Sequence, residues 1–188
     1  MDLGLSEEQE MLREFARDFL EKESPESHVR EMEDDEKGYS PVLWGKMAEQ
    51  GWMGLIVPDA YGGVGMTYMD LIILAEEFGR ALVPGPFLPN CVATIALLEA
   101  ASEEQKQQWL PSIAAGSQIW VVCQTEPSAR YDSQGIQLSA KKDGGDYVLN
   151  GKKLFIRDSH VADMLVVVAR TGGNGDDGIS LFAVDAGA

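Results

Sequence analysis

The sequence predicts a multidomain α+β fold: an all-helical N-terminal domain over residues 1–117, then an antiparallel β-barrel or sandwich over 118–188 that is incomplete. Three observations predict it. Up to Gly116 the apolar residues recur at the 3.6-residue period of amphipathic helices. Beyond it they fall into short β-rich runs separated by Gly, Asp and Asn. Helices followed by strands, rather than the two alternating, is the α+β pattern. Charge divides at the same place: residues 1–117 carry 22 acidic against 8 basic side chains, a net −14, and residues 118–188 carry 9 against 7, a net −2.

In the first part, Ser6 with Gln9 forms a capping box, and Leu12, Phe15, Ala16 and Phe19 follow at helical spacing. Charge dominates "ESPESHVREMEDDEKG", which reads as a loop or a solvated helix. Ser40-Pro41 opens a second amphipathic helix, "PVLWGKMAEQ", with Pro at its first position and Gly51 beyond its end. The stretch "GWMGLIVPDAYGGVGMT" is rich in Gly and Pro, a structured loop. A helix over Tyr68–Arg80 places Leu71, Ile72, Ala75 and Phe78 on one face. "LVPGPFLP" then breaks the chain before an apolar helix near Asn90–Ala100, and Ser102 with Gln105 caps a last helix, "EEQKQQWLPSIAAG".

Six runs predict strands in the second part: "QIWVVCQ", "IQLSAKK", "YVLNGKK", "LFIR", "DMLVVVAR" and "ISLFAV". "DGGD" at 143–146 is a hairpin turn. Gly172–Gly178, "GGNGDDG", reads as a flexible turn rather than a phosphate cradle, because no helix follows it. The last strand ends with nothing to cover its edge, so the chain is expected to continue, or to be completed by a partner.

A length of 188 residues with 45% hydrophobic and 24% charged residues is ordinary for a globular protein, but a net charge of −16 is not. Phosphate binding needs clustered cations, which excludes nucleic acid as an expected partner. Cys91 and Cys123 each sit among apolar residues and are expected as inert core thiols in a reducing compartment. His28 and His160 lack neighbours at metal-ligand spacing, so no metal site is expected. No apolar run is long enough for a membrane span, and the acidic start is unlike a signal peptide. A cytoplasmic location is the expectation.

The order "VPDAYGGVGMTYMDLIILAEEFGRAL", "WLPSIAAGSQIWVVCQTEP" and "YVLNGKKLFIRDSHVADMLVVVAR" resembles the flavin-dependent acyl-CoA dehydrogenases along essentially the whole chain. Members of that family have a helical domain, a middle β-domain and a C-terminal helical bundle. This chain matches the first and part of the second, and the bundle is absent from it. The resemblance implies FAD as cofactor, an acyl-CoA thioester as substrate and an electron-transfer flavoprotein as electron acceptor. It also implies a homo- or hetero-oligomer, a dimer or tetramer, and a place in fatty acid metabolism. The family's catalytic Glu lies in the C-terminal bundle, so no residue here is a catalytic candidate and the visible chain alone is expected to be inactive.

By the same resemblance, Thr125 and the backbone around Val122, Cys123 and Gln124 face the pyrimidine edge of the flavin, where fixed donors stabilise developing negative charge. Pro127, lacking an N–H, stops the strand there. Phe155-Ile156-Arg157 stand where the family has Trp-Ile-Thr or Trp-Ile-Ser: Phe155 can flank the ring, and Arg157 replaces a hydroxyl near the hydride-receiving atom. A cation at that atom favours reduced flavin, or else occupies an empty site. Read without the resemblance, Thr125-Glu126-Pro127 is a strand-ending turn with Glu126 in solvent, and Phe155 is core.

The family follows the corner with Gly-x-Gly-Ser-Asp, where this chain has Ser128-Ala129-Arg130-Tyr131-Asp132. Arg130 and Tyr131 are the candidate substrate contacts, Arg130 toward a phosphate or an acidic group. The alternative is that they fill a pocket no longer used. Tyr68, Met69 and Ile72 are read as core, or as part of an acyl pocket floor. Two rival functions stay open. One is a flavin-free, non-catalytic subunit or scaffold of a heteromeric enzyme. The other is a flavin enzyme of this fold acting on a non-CoA substrate, such as a nitroalkane or an aromatic.

Overall fold

The computed structural model describes residues 4–173 and 175–188; position 174, within the predicted Gly172–Gly178 turn, and the first three residues lie outside the described part. The chain packs as two units, one running to Leu88 and resuming over Ala101–Ser117, the other made of Pro89–Ala100 with Gln118–Ala188. No helix among the described residues is long and apolar enough to cross a membrane.

The first unit contains α1 (Glu7–Glu23), α2 (Glu26–Glu33), α3 (Pro41–Glu49), α4 (Tyr68–Arg80), the first residues of α5 (Phe87–Ala100) and α6 (Glu103–Ala114). The expected caps at Ser6, Ser40 and Ser102 form, and Thr67 adds a fourth. Ser6, Thr67 and Ser102 each close a capping box, and the Ser40 hydroxyl accepts from Leu43 N–H at 3.2 Å. The charged stretch after α1 becomes α2, which buries no residue, a solvated helix. Trp52, 2% exposed, lies under three aromatic edges, with ring centroids 6.2 Å from Phe15, 4.9 Å from Phe19 and 5.6 Å from Phe78. Beside it the α4 carboxylate Glu77, 2% exposed, accepts from Arg17 at 2.6 and 3.1 Å and from Arg80 at 2.7 Å.

Two expectations for this unit need correction. Ile72 is not on the buried face of α4: it is 61% exposed, and Ile73, Leu74 and Phe78 take the core. Tyr68 and Met69 are likewise 48% and 52% exposed, so they are not core. The stripe is apolar but outward, because α4 turns Leu71, Leu74 and Phe78 inward and the residues offset from them follow the other side.

The Gly-rich loop is held by its own backbone: Val64 N–H donates to Gly54 O at 3.0 Å, Gly65 to Val57 O at 2.9 Å and Met66 to Leu55 O at 2.8 Å. Gly63 is required here by close approach, since a Cβ on it would stand 2.0 Å from the Val57 carbonyl oxygen. The nearest atoms all belong to Val57 and two of them are backbone, so little there can yield. Gly63→Ala is expected to lower unfolding free energy by about 1–3 kcal/mol, read by urea denaturation. A loss under about 0.5 kcal/mol would show that the loop shifts freely.

The second unit holds most of α5 and five strands: β1 (Trp120–Cys123), β2 (Ser139–Asp143), β3 (Asp146–Asn150), β4 (Met164–Arg170) and β5 (Ile179–Asp185). The predicted β2–β3 hairpin turns at Gly144-Gly145, with Asp143 opposite Asp146. β4 pairs antiparallel with β5, Met164 opposite Asp185. On its other side β4 pairs in parallel with β1, Trp120 opposite Met164, and touches β2 at Ser139↔Arg170. The sheet is mixed and not closed. Asn90 of α5, 1% exposed, accepts from Trp120 N–H at 2.9 Å, so the helix supplies the hydrogen-bond partner that a neighbouring strand would give. Five of the six strand runs are strands; "LFIR" is not. Its Phe155 and Asp158 sit at φ +55° and +57°, which breaks the pleat and leaves the segment as a bend.

Candidate functional site

The end of β1 explains the Thr-Glu-Pro corner. Glu126 is not in solvent, as a plain strand-ending turn would leave it; it is 4% exposed. Its carboxylate accepts from Gln137 N–H at 2.8 Å and Leu138 N–H at 3.0 Å, and from the Lys153 ammonium at 2.7 Å. Lys153 also donates to the Gln124 carbonyl at 3.0 Å. Burial by itself pushes the Glu126 carboxyl up, but hydrogen bonds from Lys153, Leu138 and Gln137 outweigh it and hold the group below its ordinary value. Glu126 is therefore a fixed anion rather than a proton acceptor.

The same pairing draws the two expected cofactor segments together. Leu154 N–H donates to Thr125 O at 2.9 Å, next to Lys153. Thr125 is half-buried, and among the described residues neither its N–H nor its hydroxyl has a hydrogen-bond partner. Phe155 follows in the left-handed region and is 89% exposed, which rules out the core reading of that residue. Ile156 is half-buried, its carbonyl accepting from the Ser159 hydroxyl at 3.1 Å, and Arg157 is exposed. Val122 is half-buried inside β1 and faces away from Val121 and Cys123, while the Gln124 side chain is exposed.

The two candidate substrate contacts lie on the loop beyond. Arg130 donates to Asp132 at 3.0 Å and, through a second nitrogen, to Gln134 at 3.1 Å. Asp132 in turn accepts from Gly135 N–H at 3.1 Å. Arg130 is thus engaged inside its own loop, and Tyr131 is 78% exposed, so neither fills a pocket of this unit.

Sequence reasoning missed Lys153 and Arg170. The Arg170 guanidinium donates to Ile136 O at 2.8 Å, to Ser133 O, and to Gly173 O at 2.9 Å, gathering the loop after the corner and the turn after β4. The one available signal was a Lys at a strand end two residues before an aromatic. Cys91 behaves as expected of an inert core thiol, burial pushing it up to about 12. Among the described residues no group of His, Cys, Asp and Glu could hold a metal ion.

Comparison with known proteins bears on what this corner belongs to. The acyl-CoA dehydrogenase N-terminal domain matches residues 6–117 and the acyl-CoA dehydrogenase middle domain residues 122–188. The mitochondrial long-chain specific acyl-CoA dehydrogenase of Sus scrofa is 34% identical over 195 residues, covering 99% of this chain and 45% of that protein. Subunit CarC of the caffeyl-CoA reductase-Etf complex of Acetobacterium woodii is 37% identical over 184 residues, 96% of this chain and 48% of that one. The FAD complex of PigA superposes with a TM-score of 0.86 at 28% identity, over 98% of this chain and 49% of that one. The chain spans about half the length of these relatives. With both domain families matching in order across nearly its full length, the chain belongs to the acyl-CoA dehydrogenase family.

Proposed function

We propose that the chain is the flavin-contacting part of an FAD-dependent acyl-CoA dehydrogenase, converting an acyl-CoA thioester to the 2,3-enoyl-CoA and passing electrons to an electron-transfer flavoprotein. One observation carries this reading. The Thr125 N–H and hydroxyl are unpartnered at the corner among the described residues, and Phe155, 89% exposed, directly follows Leu154, whose N–H is bonded to the Thr125 carbonyl. An aromatic left in water at positive φ is unfavourable unless something flat covers it. The residues present fit a flavin: donors for a polar ring edge, an aromatic for its face.

FAD, when bound, supplies the hydride acceptor. Thr125 would orient the ring by its N–H and hydroxyl, and Phe155 would exclude water from one side. Glu126, ionised and saturated, takes no proton, so the general base is proposed to lie outside these residues. CarC, a subunit of a caffeyl-CoA reductase-Etf complex, and a structural neighbour described as an electron transferring flavoprotein of Acidaminococcus fermentans support the acceptor, and an oligomeric assembly follows the same reading.

The test is the visible absorption spectrum of the complete protein, the segment carrying the general base included, with FAD, before and after an acyl-CoA. A bound-flavin band that bleaches on adding the thioester supports the reading. A protein that stays colourless overturns it in favour of a flavin-free subunit of a heteromeric enzyme. That second reading is favoured by the Arg130–Asp132–Gln134 lock, which puts two bulky residues where the family's loop is small.

A further inference from the structure

We infer that Lys153 is the positioning residue of this corner: by bridging Gln124 O and the Glu126 carboxylate it sets the spacing between the Phe155 ring and the Thr125 donors on which flavin binding depends. The inference rests on the flavin reading above. Its basis is one buried cation joining three segments. Lys153 is 8% exposed at its side chain, against 5% for Glu126. It reaches Gln124 O at 3.0 Å and Glu126 Oε1 at 2.7 Å, while Glu126 holds the N–H groups of Gln137 and Leu138. The strand end, the returning chain before β2 and the bend at 153–155 are thereby tied at one point.

Stability alone is a weak reason for such a pair. A buried ion pair returns little net energy after desolvation, and apolar replacements of equal volume often fold as well or better. What it does provide is geometry. The bend carries no ladder of its own, and Phe155 holds an unfavourable dihedral. Apart from the ammonium, only the Leu154–Thr125 bond joins the Phe155 segment to the corner among the described residues. Without the ammonium the ring could swing about that single bond, and the donors at Thr125 would no longer lie at a fixed distance from it. Residues that orient contact groups in this way typically change affinity 10–100-fold when replaced, a magnitude taken from metal sites.

The experiment strips flavin from the protein and titrates FAD, following fluorescence quenching for affinity and visible circular dichroism for the surroundings of the bound ring. Lys153→Met is expected to weaken FAD binding roughly 10–100-fold and to alter the visible dichroism; Lys153→Arg is expected to restore most of both. Because Lys153→Met leaves Glu126 buried without a counter-charge, Lys153→Met/Glu126→Gln is measured beside it. That pair removes both charges, is expected to melt near the wild type, and still binds FAD weakly because Gln124 O has lost its tether. Wild-type affinity and dichroism in the folded double variant would overturn the inference and leave the flavin reading intact. Failure of the unsubstituted protein to take FAD overturns the flavin reading, and the inference falls with it.

Discussion

Trp52→Ala is expected to lower the unfolding free energy by about 3–5 kcal/mol, the range for deleting a large buried aromatic side chain. For a chain of this length that lowers the melting temperature by roughly 8–16 °C. The indole is 2% exposed and meets Phe19 and Phe78 edge-on, at interplanar angles of 73° and 66°. Such edge-to-face pairs contribute about 0.5–1.5 kcal/mol each beyond area burial, so truncation removes both packing and ring geometry. Phe78 in turn stacks on Phe87 at 4.1 Å, so the void opens in a cluster that cannot slide as one piece. Trp52→Phe keeps a ring and is expected to lose less than half as much. Thermal melts followed by circular dichroism at 222 nm decide the matter. A drop under about 3 °C for the Ala variant would show that Phe15, half exposed, folds inward and refills the site.

That cluster was only partly legible in the sequence. Helical spacing put Phe15 and Phe19 on one face of α1 and Phe78 on α4, and the caps at Ser6, Ser40 and Ser102 marked where three of the helices begin, because each is a local device of three or four residues. Trp52 lay in a Gly-rich loop, where periodicity says nothing about burial. Ile72 shows the complementary failure: an apolar residue at an acceptable offset is assigned to the core, yet a helix can carry an apolar stripe on its outer side. The site was legible to a similar depth. Thr125 and Phe155 could be singled out because family order surrounds them. Their support could not, because the Glu126–Lys153 pair spans 27 positions and the Arg170 bond to Ser133 spans 37. A Lys after a hairpin and an Arg closing a strand look solvated until the fold folds carbonyls around them.

Glu126→Ala is expected to have an effect of the same size as loss of Trp52, about 3–5 kcal/mol, because removing one member of a buried pair strands the other. It leaves the Lys153 ammonium without its carboxylate and frees two backbone donors, the buried Leu138 N–H and the part-buried Gln137 N–H. Glu126→Gln keeps an acceptor and is expected to cost about 1–3 kcal/mol. The same carboxyl predicts a pH dependence of definite sign. Its folded pKa is depressed, so the unfolded chain binds the proton more readily, near a pH of about 4.3. The stabilisation is therefore complete above that value and is lost as pH falls through the lower folded pKa. Glu77 behaves alike, depressed first by its bond to Arg17, against burial, and then by Arg80. Urea denaturation of the wild type from pH 7 to pH 3 should be nearly flat to about pH 5 and fall steeply below about pH 4. Glu126→Gln should begin lower at neutral pH and fall less steeply, with the remaining acid limb owed to the other depressed carboxyls, the buried Glu77 and Asp70 among them. If the two acid limbs run parallel instead, Glu126 carries no depressed pKa, and the neutral-pH loss in the variant measures hydrogen bonding alone.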